Sequence, residues 1–189
     1  MYFKNCSKIL DLGCGIGNFI ALDKKRITGI DSNKKNILLC KKQHFNAILG
    51  NVTLIPFHNN YFDGIHASHI IEHLMPKDAH KMLTEVGRVL KIKGIFVLST
   101  PVLWKGFYND FTHIKPYYPE SIIRYLCNDG IEKTLNDIPY VFIVRKLYWR
   151  FRPFSIPGKI GYLIANYLYT LNIHSLSKDG YTIVLEKIS

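Results

Sequence analysis

Short apolar runs alternate along the chain with longer stretches in which apolar side chains recur every third or fourth position. The runs near 8–12, 26–30, 46–49, 62–68, 94–99, 131–135 and 180–187 read as strands. The stretch from about Lys77 to Leu90 carries the clearest helical period: Ala79, Met82, Leu83, Val86, Val89 and Leu90 share one face, and Lys81, Glu85 and Arg88 lie away from it. That helix reads as core packing, and Pro76 suits its first turn, where the N–H it lacks would have no partner. A short helix is expected near Pro119 to Cys127, and a second helical stripe links Ile160, Leu163, Ile164, Tyr167, Leu168 and Leu171. Strands and helices in alternation imply an α/β domain built on a mostly parallel sheet with helices on both faces.

The first strand leads straight into chemistry. Residues 9 to 17 read Ile-Leu-Asp-Leu-Gly-Cys-Gly-Ile-Gly, so Asp11 precedes a turn with glycines at 13, 15 and 17. Glycines, having no Cβ, let the backbone N–H groups at the next helix start approach a nucleotide-like ligand closely. The spacing is G-x-G-x-G, with Asn18 at the third-glycine place of G-x-G-x-x-G, which disfavours NAD. No Lys-Ser or Lys-Thr pair closes the loop, which disfavours a nucleoside triphosphate. Asp31 stands at the end of the second strand, where a carboxylate can accept both hydroxyls of a ribose, so the expected ligand carries a nucleoside.

Further segments follow in order: Gly29-Ile30-Asp31, then Ile55-Pro56-Phe57 with Tyr61-Phe62-Asp63, then Ile71-Glu72-His73-Leu74. Last come Glu85-Val86-Gly87-Arg88-Val89-Leu90 and Gly94-Ile95-Phe96-Val97-Leu98-Ser99-Thr100-Pro101. With Ile9 to Gly17 these segments cover roughly the first two-thirds of the chain. On them the chain resembles the class I S-adenosylmethionine-dependent methyltransferases, most closely the small-molecule branch called type 11. The resemblance implies a Rossmann-like, seven-stranded, mostly parallel sheet whose last strand is antiparallel, and S-adenosyl-L-methionine as cofactor. It places the turn of Gly13, Gly15 and Gly17 against the methionyl part, Asp11 near the ammonium and Asp31 on the ribose, with Asn51, Val52 and Ser68 completing the contacts. Relatives commonly carry Asp where Asn51 stands; Asn keeps a carbonyl oxygen that can accept the same hydrogen bond from adenine. Taken singly, each segment also fits plain structure: a strand-to-helix turn, an N-cap at Asp31, loop packing at Pro56-Phe57. Their joint, ordered occurrence is what points to the cofactor.

At 189 residues and 48% hydrophobic content, residues 1–189 are expected to form one domain, with variable acceptor-region segments at about 101–130 and 140–170. The first strand begins at about Lys8, so the N-terminal helices that often cover the cofactor in this family are expected to be missing or vestigial. Cysteines at 6, 14, 40 and 127 form no C-x-x-C pair, which suits free thiols in a reducing compartment. Neither a signal-peptide layout nor a long uncharged apolar run is present, so the expected location is cytoplasmic, with peripheral membrane contact left open. The formal net charge of +11 is more than a small-molecule enzyme needs and would draw an anionic membrane, a nucleic acid or a phosphorylated acceptor. Lysines 34, 35, 41 and 42 read as a solvated helix face.

Acceptor specificity is expected after Pro101, because loops at the carboxyl ends of parallel strands form the ligand crevice. Asp110-Phe111-Thr112-His113 heads that region, and similar Asp-x-x-His segments recur in type 11 relatives acting on glycan or lipid-linked acceptors, which makes His113 the first catalytic candidate, with His73 and Glu72 next. His66, His69, Glu72 and His73 gather near the end of the fourth strand. If the segment after Ser68 is helical, His69 lies one turn from Glu72 and His73, within reach of a shared divalent metal. The pattern resembles the Glu-x-x-Glu-His segment of quinone-biosynthesis O-methyltransferases, with His69 replacing the first Glu. The preferred expectation is no metal, with Glu72-His73 capping and packing beside the cofactor.

Methyl transfer from a sulfonium needs alignment and exclusion of water, and needs a base only if the nucleophile carries a proton, as a hydroxyl does. From Tyr140 to Thr170, Arg145, Lys146, Arg150, Arg152 and Lys159 interleave with Phe142, Tyr148, Trp149, Phe151 and Phe154, and no acid appears between Asp137 and Asp179. Placed between the sixth and seventh strands, the stretch reads as a helix packed on the sheet with a basic rim, as a lid or membrane-surface element, or as a nucleic-acid surface. Base-amino methylation is disfavoured: Ser68-His69-Ile70-Ile71 replaces the Asn/Asp-Pro-Pro-Tyr/Phe turn after the fourth strand, and Asp137-Ile138-Pro139-Tyr140 lacks one proline. Cytosine C5 chemistry needs a nucleophilic cysteine, and Cys127 is expected in a helix at the domain edge. The expectation is O-methylation of a small, glycan-type or lipid-linked acceptor. An RNA-directed methyltransferase, or a non-catalytic S-adenosylmethionine-binding protein, is the alternative.

Overall fold

The computed structural model describes residues 2–127, 135, 137–152, 158–171, 173 and 177–189. Seven strands, β1 (Ile9–Leu12), β2 (Ile27–Asp31), β3 (Ala47–Leu49), β4 (Phe62–Ser68), β5 (Leu90–Pro101), β6 (Phe142–Phe151) and β7 (Lys178–Lys187), form one sheet. Their order is β3-β2-β1-β4-β5-β7-β6. The first five pair in parallel, and β7 inserts antiparallel between β5 and β6. The fold is the Rossmann-like α/β sheet expected, antiparallel last strand included. Among the described residues the helices are α1 (Lys34–Lys42), α2 (Pro76–Val89), α3 (Pro119–Leu126) and α4 (Gly158–Thr170).

Period two along the buried strands sends side chains to both faces, and each face has its own apolar core. Leu10 and Leu12 pack with Ala79, Met82 and Val86 of α2 and Ile122 and Leu126 of α3. Ile9 points the other way, to Ile37 and Cys40 of α1 and to Phe3. Chain order reverses beside β1, with β2 on one side and β4 on the other, and that is where a crevice opens beyond the carboxyl ends of the strands.

Helix α2 buries the predicted face, but Glu85 and Arg88 are not the solvent-facing pair the periodicity suggested. Arg88 donates to the carbonyls of Ile55 and Phe57, both at 2.7 Å, and holds Glu85, whose carboxylate accepts the Ile55 N–H at 2.7 Å. The pair clamps the loop after β3, which has no ladder to satisfy those backbone groups.

Two expectations change in the last third. The strand near 131–135 falls mostly outside the described residues, and the sixth strand of the sheet is β6, inside the basic and aromatic stretch placed between the sixth and seventh strands. Long basic side chains suit it because it is an edge strand, with only β7 as neighbour. Helix α4 buries only Gly161 and Ala165; Ile160 is 75% exposed, and Leu163, Ile164, Tyr167 and Leu171 of the predicted stripe are exposed too. No helix among the described residues is long and apolar enough to cross a membrane.

Candidate active site

Beyond β1 the chain turns through Gly13, Gly15 and Gly17, all in the left-handed region at φ +66°, +53° and +90°. Each glycine answers a different demand. A Cβ on Gly13 would lie 2.4 Å from Cδ1 of Ile70, and one on Gly17 would lie 2.4 Å from the Phe45 ring. A Cβ on Gly15 would meet nothing within 4 Å, so this position faces open space, as a ligand-contacting backbone must. Asp31, at the end of β2, accepts the Gly15 N–H at 2.8 Å with Oδ2. Its Oδ1 accepts from Asn33 N at 2.8 Å and Asn36 Nδ2 at 3.3 Å, leaving carboxylate lone pairs free for hydroxyl donors.

Asp11 is 4% exposed and lies 2.7 Å from His66 Nδ1, whose ring stacks on Phe19 at 3.9 Å. Burial raises the Asp11 carboxyl above the ordinary range, against the opposing pull of the His66 hydrogen bond. The structure thus takes His66 out of the histidine group at the end of β4 and places it beneath the turn. Val52 is buried in the core. Asn51 uses its Oδ1 on the Thr53 N–H and hydroxyl, both at 3.0 Å, so an adenine amino group would find that acceptor engaged. Ser68 closes β4 opposite Ser99.

After β4 the chain does not continue as a helix. His69 adopts φ +54°, and Ile71–His73 is a single 3-10 turn. Glu72, 0% exposed, is held by His69 Nδ1 at 3.1 Å on one oxygen and by the Thr100 hydroxyl at 3.1 Å on the other. Arg150, from the end of β6, reaches His69 Nε2 at 3.4 Å. The loop after β5 folds back so that Ile114 N and Lys115 N donate to the Glu72 carbonyl at 2.8 and 3.3 Å, which brings His113 against His73, ring centres 4.8 Å apart. His73 Nδ1 faces the Thr112 hydroxyl at 2.9 Å and the Thr112 carbonyl at 3.2 Å; His113 Nδ1 donates to the Phe107 carbonyl at 2.7 Å.

The candidate cluster of His69, Glu72 and His73, which the sequence offers as the alternative to no metal, is regrouped in the structure. Ligand atoms of Glu72, His73 and His113 lie within 4.8 Å of one another, whereas His69 is turned to bond Glu72 and face Arg150. The spacing argument holds only for a helix after Ser68, and the 3-10 turn at Ile71–His73 takes its place. Thr100, Thr112 and Arg150 were not foreseen as neighbours of this group. Thr100 had a signal, since it sits at the carboxyl end of β5, where parallel sheets build their sites.

The segment that carries this second group reaches the glycine turn through Ile70, two residues before Glu72, whose side chain fills the space above Gly13. A family model described as a methyltransferase domain, type 11, matches residues 10–98. An uncharacterized methyltransferase of Synechocystis is 31% identical over 149 residues, covering 75% of this chain and 70% of the relative. An uncharacterized protein of Methanocaldococcus jannaschii is 32% identical over 136 residues, covering 70% of this chain; the match spans only 58% of that relative's length. Among solved structures, a SAM-dependent methyltransferase from Archaeoglobus fulgidus superposes with a TM-score of 0.71 at 24% identity, covering 98% of this chain and 88% of that one. The family match ends at Leu98, before every residue of the acceptor-side loop.

Proposed function

The chain belongs to the class I S-adenosylmethionine-dependent methyltransferases, type 11 branch, and on that premise we propose that it O-methylates a small, glycan-type or lipid-linked acceptor. The residues fit S-adenosyl-L-methionine: Gly15 leaves open space in the turn, and Asp31 is fixed by Gly15, Asn33 and Asn36 with lone pairs to spare for a ribose. Bound there, the cofactor supplies the methyl group. What remains for the chain is to hold the acceptor hydroxyl and loosen its proton, and the observation that carries this reading is the meeting of Glu72, His73 and His113 beside the turn.

The rim of the crevice supports an acceptor with an apolar part. Strand β6 runs in the same direction as β5, so its last residues, Arg150 among them, lie at the same end of the sheet as the site. Exposed apolar side chains lie on the loop after β5, at Phe111 (100% exposed), Leu103, Tyr108 and Ile114, and along the stripe on α4. Arg145 and Arg150 are paired with Glu186 and Asp179, and Arg152 lies over the Trp104 ring at 4.2 Å, so the apolar stripe rather than these arginines supports contact with a lipid surface. Leu163→Asp with Tyr167→Asp should abolish co-sedimentation with anionic vesicles.

The activity test uses S-adenosylmethionine labelled in its methyl group and a cell extract. Label in the organic phase, lost on boiling in methanolic alkali only if an ester is methylated, is expected for a lipid-linked ether product. Label confined to RNA would replace this reading by RNA methylation. No label anywhere, with S-adenosylhomocysteine still bound in calorimetry, would identify a binding protein without turnover.

A further inference from the structure

We propose that Glu72, His73 and His113 bind a divalent transition-metal ion, and that this ion is what holds the acceptor oxygen in the reaction proposed above. The assignment of the ion itself rests on the hydrogen-bond network alone. His113 Nδ1 lies 2.7 Å from a backbone carbonyl, which only an N–H can approach, so its proton sits on Nδ1 and its lone pair on Nε2. His73 Nδ1 faces the Thr112 carbonyl and hydroxyl in the same way, again leaving Nε2 as the lone pair. Metal-binding histidines characteristically donate their other ring N–H to a carbonyl or carboxylate, which fixes tautomer and ring plane. Both imidazoles here are set in that manner.

The third ligand is equally prepared. Glu72 is buried and receives the Thr100 hydroxyl and the His69 Nδ1–H, whose tautomer is fixed in turn by Arg150 on Nε2. Such donors orient a carboxylate while each oxygen retains a lone pair. Ligand atoms about 2 Å from an ion sit about 3–3.5 Å apart. The ligand atoms of the trio lie within 4.8 Å of one another, so an ion between them would draw them closer together. Two imidazoles and one carboxylate suit zinc, cobalt, manganese or iron better than magnesium or calcium, which prefer oxygen. Three protein ligands leave open positions, and a hydroxyl bound in one is acidified, its proton passing to water while the oxygen keeps the electron pair. An acceptor with adjacent oxygens, a vicinal diol or catechol, would fill two such positions.

The test needs neither acceptor nor cofactor, so its failure and the failure of the O-methylation reading are separate. The full chain, stripped with chelator, is titrated with cobalt(II) and read by visible absorption. The expected result is one equivalent bound with ligand-field bands, weakened at least tenfold in His73→Ala and in His113→Ala, while His58→Ala binds as the parent does. Far-UV circular dichroism and thermal unfolding of each variant report whether the domain is folded. Should either variant fail that check, manganese(II) broadening of histidine ring signals in the parent decides: selective loss at positions 73 and 113 supports the site. No cobalt bound by the parent at millimolar ion, or bands unchanged in both folded variants, or broadening at other histidines, would overturn it, and His113 would then stand as a direct base.

Discussion

Asp31 accepts the N–H of Gly15 across the top of the sheet at 2.8 Å, so one carboxylate both fixes the glycine turn and faces the space that turn leaves open. Removing it takes away a charge-assisted hydrogen bond and the ribose acceptor together. Asp31→Ala should weaken S-adenosylhomocysteine at least about tenfold by calorimetry, the equivalent of roughly 1.4 kcal/mol. Equal binding by parent and variant would remove Asp31 from the cofactor site.

Gly13 and Gly15 share a positive φ and differ in surroundings, so alanine should separate two effects. At Gly13 the added methyl overlaps Ile70, and strain plus overpacking should cost about 2–4 kcal/mol of stability. At Gly15 only the backbone term of about 1–2 kcal/mol applies, but the methyl occupies the ligand's space. Urea unfolding should rank Gly13→Ala as the less stable variant, and calorimetry should show Gly15→Ala losing the ligand while still folded.

Arg88 makes a bidentate contact with Glu85 and reaches two carbonyls of the loop after β3. Lysine has one donor centre and cannot span these partners. Arg88→Lys should therefore cost about 2–3 kcal/mol, measured by thermal unfolding, despite conserving charge. A shift within the noise of the parent would mean that water replaces the clamp.

Asp63 is partly buried, which alone would raise its carboxyl, yet Lys91, Ser7 and Lys8 donate to it and hold it well below the ordinary carboxylate range. A depressed folded value stabilises above the unfolded value near pH 4 and loses that contribution as pH falls through and below it. Asp63→Asn should lower stability at pH 7 by about 1–2 kcal/mol and flatten the acid limb below pH 5. Identical acid limbs would show the network to be screened.

Asp11 has the opposite sign. Its raised folded value gives a contribution present below the ordinary carboxylate range and lost as pH rises through the folded value. Asp11→Asn removes that loss and can keep a hydrogen bond to His66. The variant should be at least as stable as the parent at pH 7, while binding S-adenosylhomocysteine more weakly. A large drop in stability at pH 7 would mean that the charge is needed for folding.

Local pattern made most of the sheet legible. Strands β1, β4 and β7 lie where the apolar runs lie, because burial on both faces of the sheet favours apolar residues at most of their positions. The edge strand β6 is not legible as an apolar run, since six of its ten residues are exposed and three of those, Arg145, Lys146 and Arg150, carry charge. The stripe on α4 was legible as a helix face, but which face packs was not: Gly161 and Ala165 let its backbone approach its support, while the larger side chains stay outside.

In the site, the residues of the glycine turn and Asp31 could be read in sequence because they belong to one strand-turn-helix unit and the next strand end, whose geometry is short-range. Thr112 and Arg150 could not, and neither could the meeting of His113 with Glu72 and His73. The sequence by itself determined the α/β alternation, the turn and the carboxylate beside it, since backbone conformation follows from nearby residues. Only the tertiary structure decided which side chains form the second group, because the Glu72 carbonyl, through Ile114 N and Lys115 N, sets where the loop after β5 returns. Such long-range hydrogen bonds leave no periodic trace in the chain.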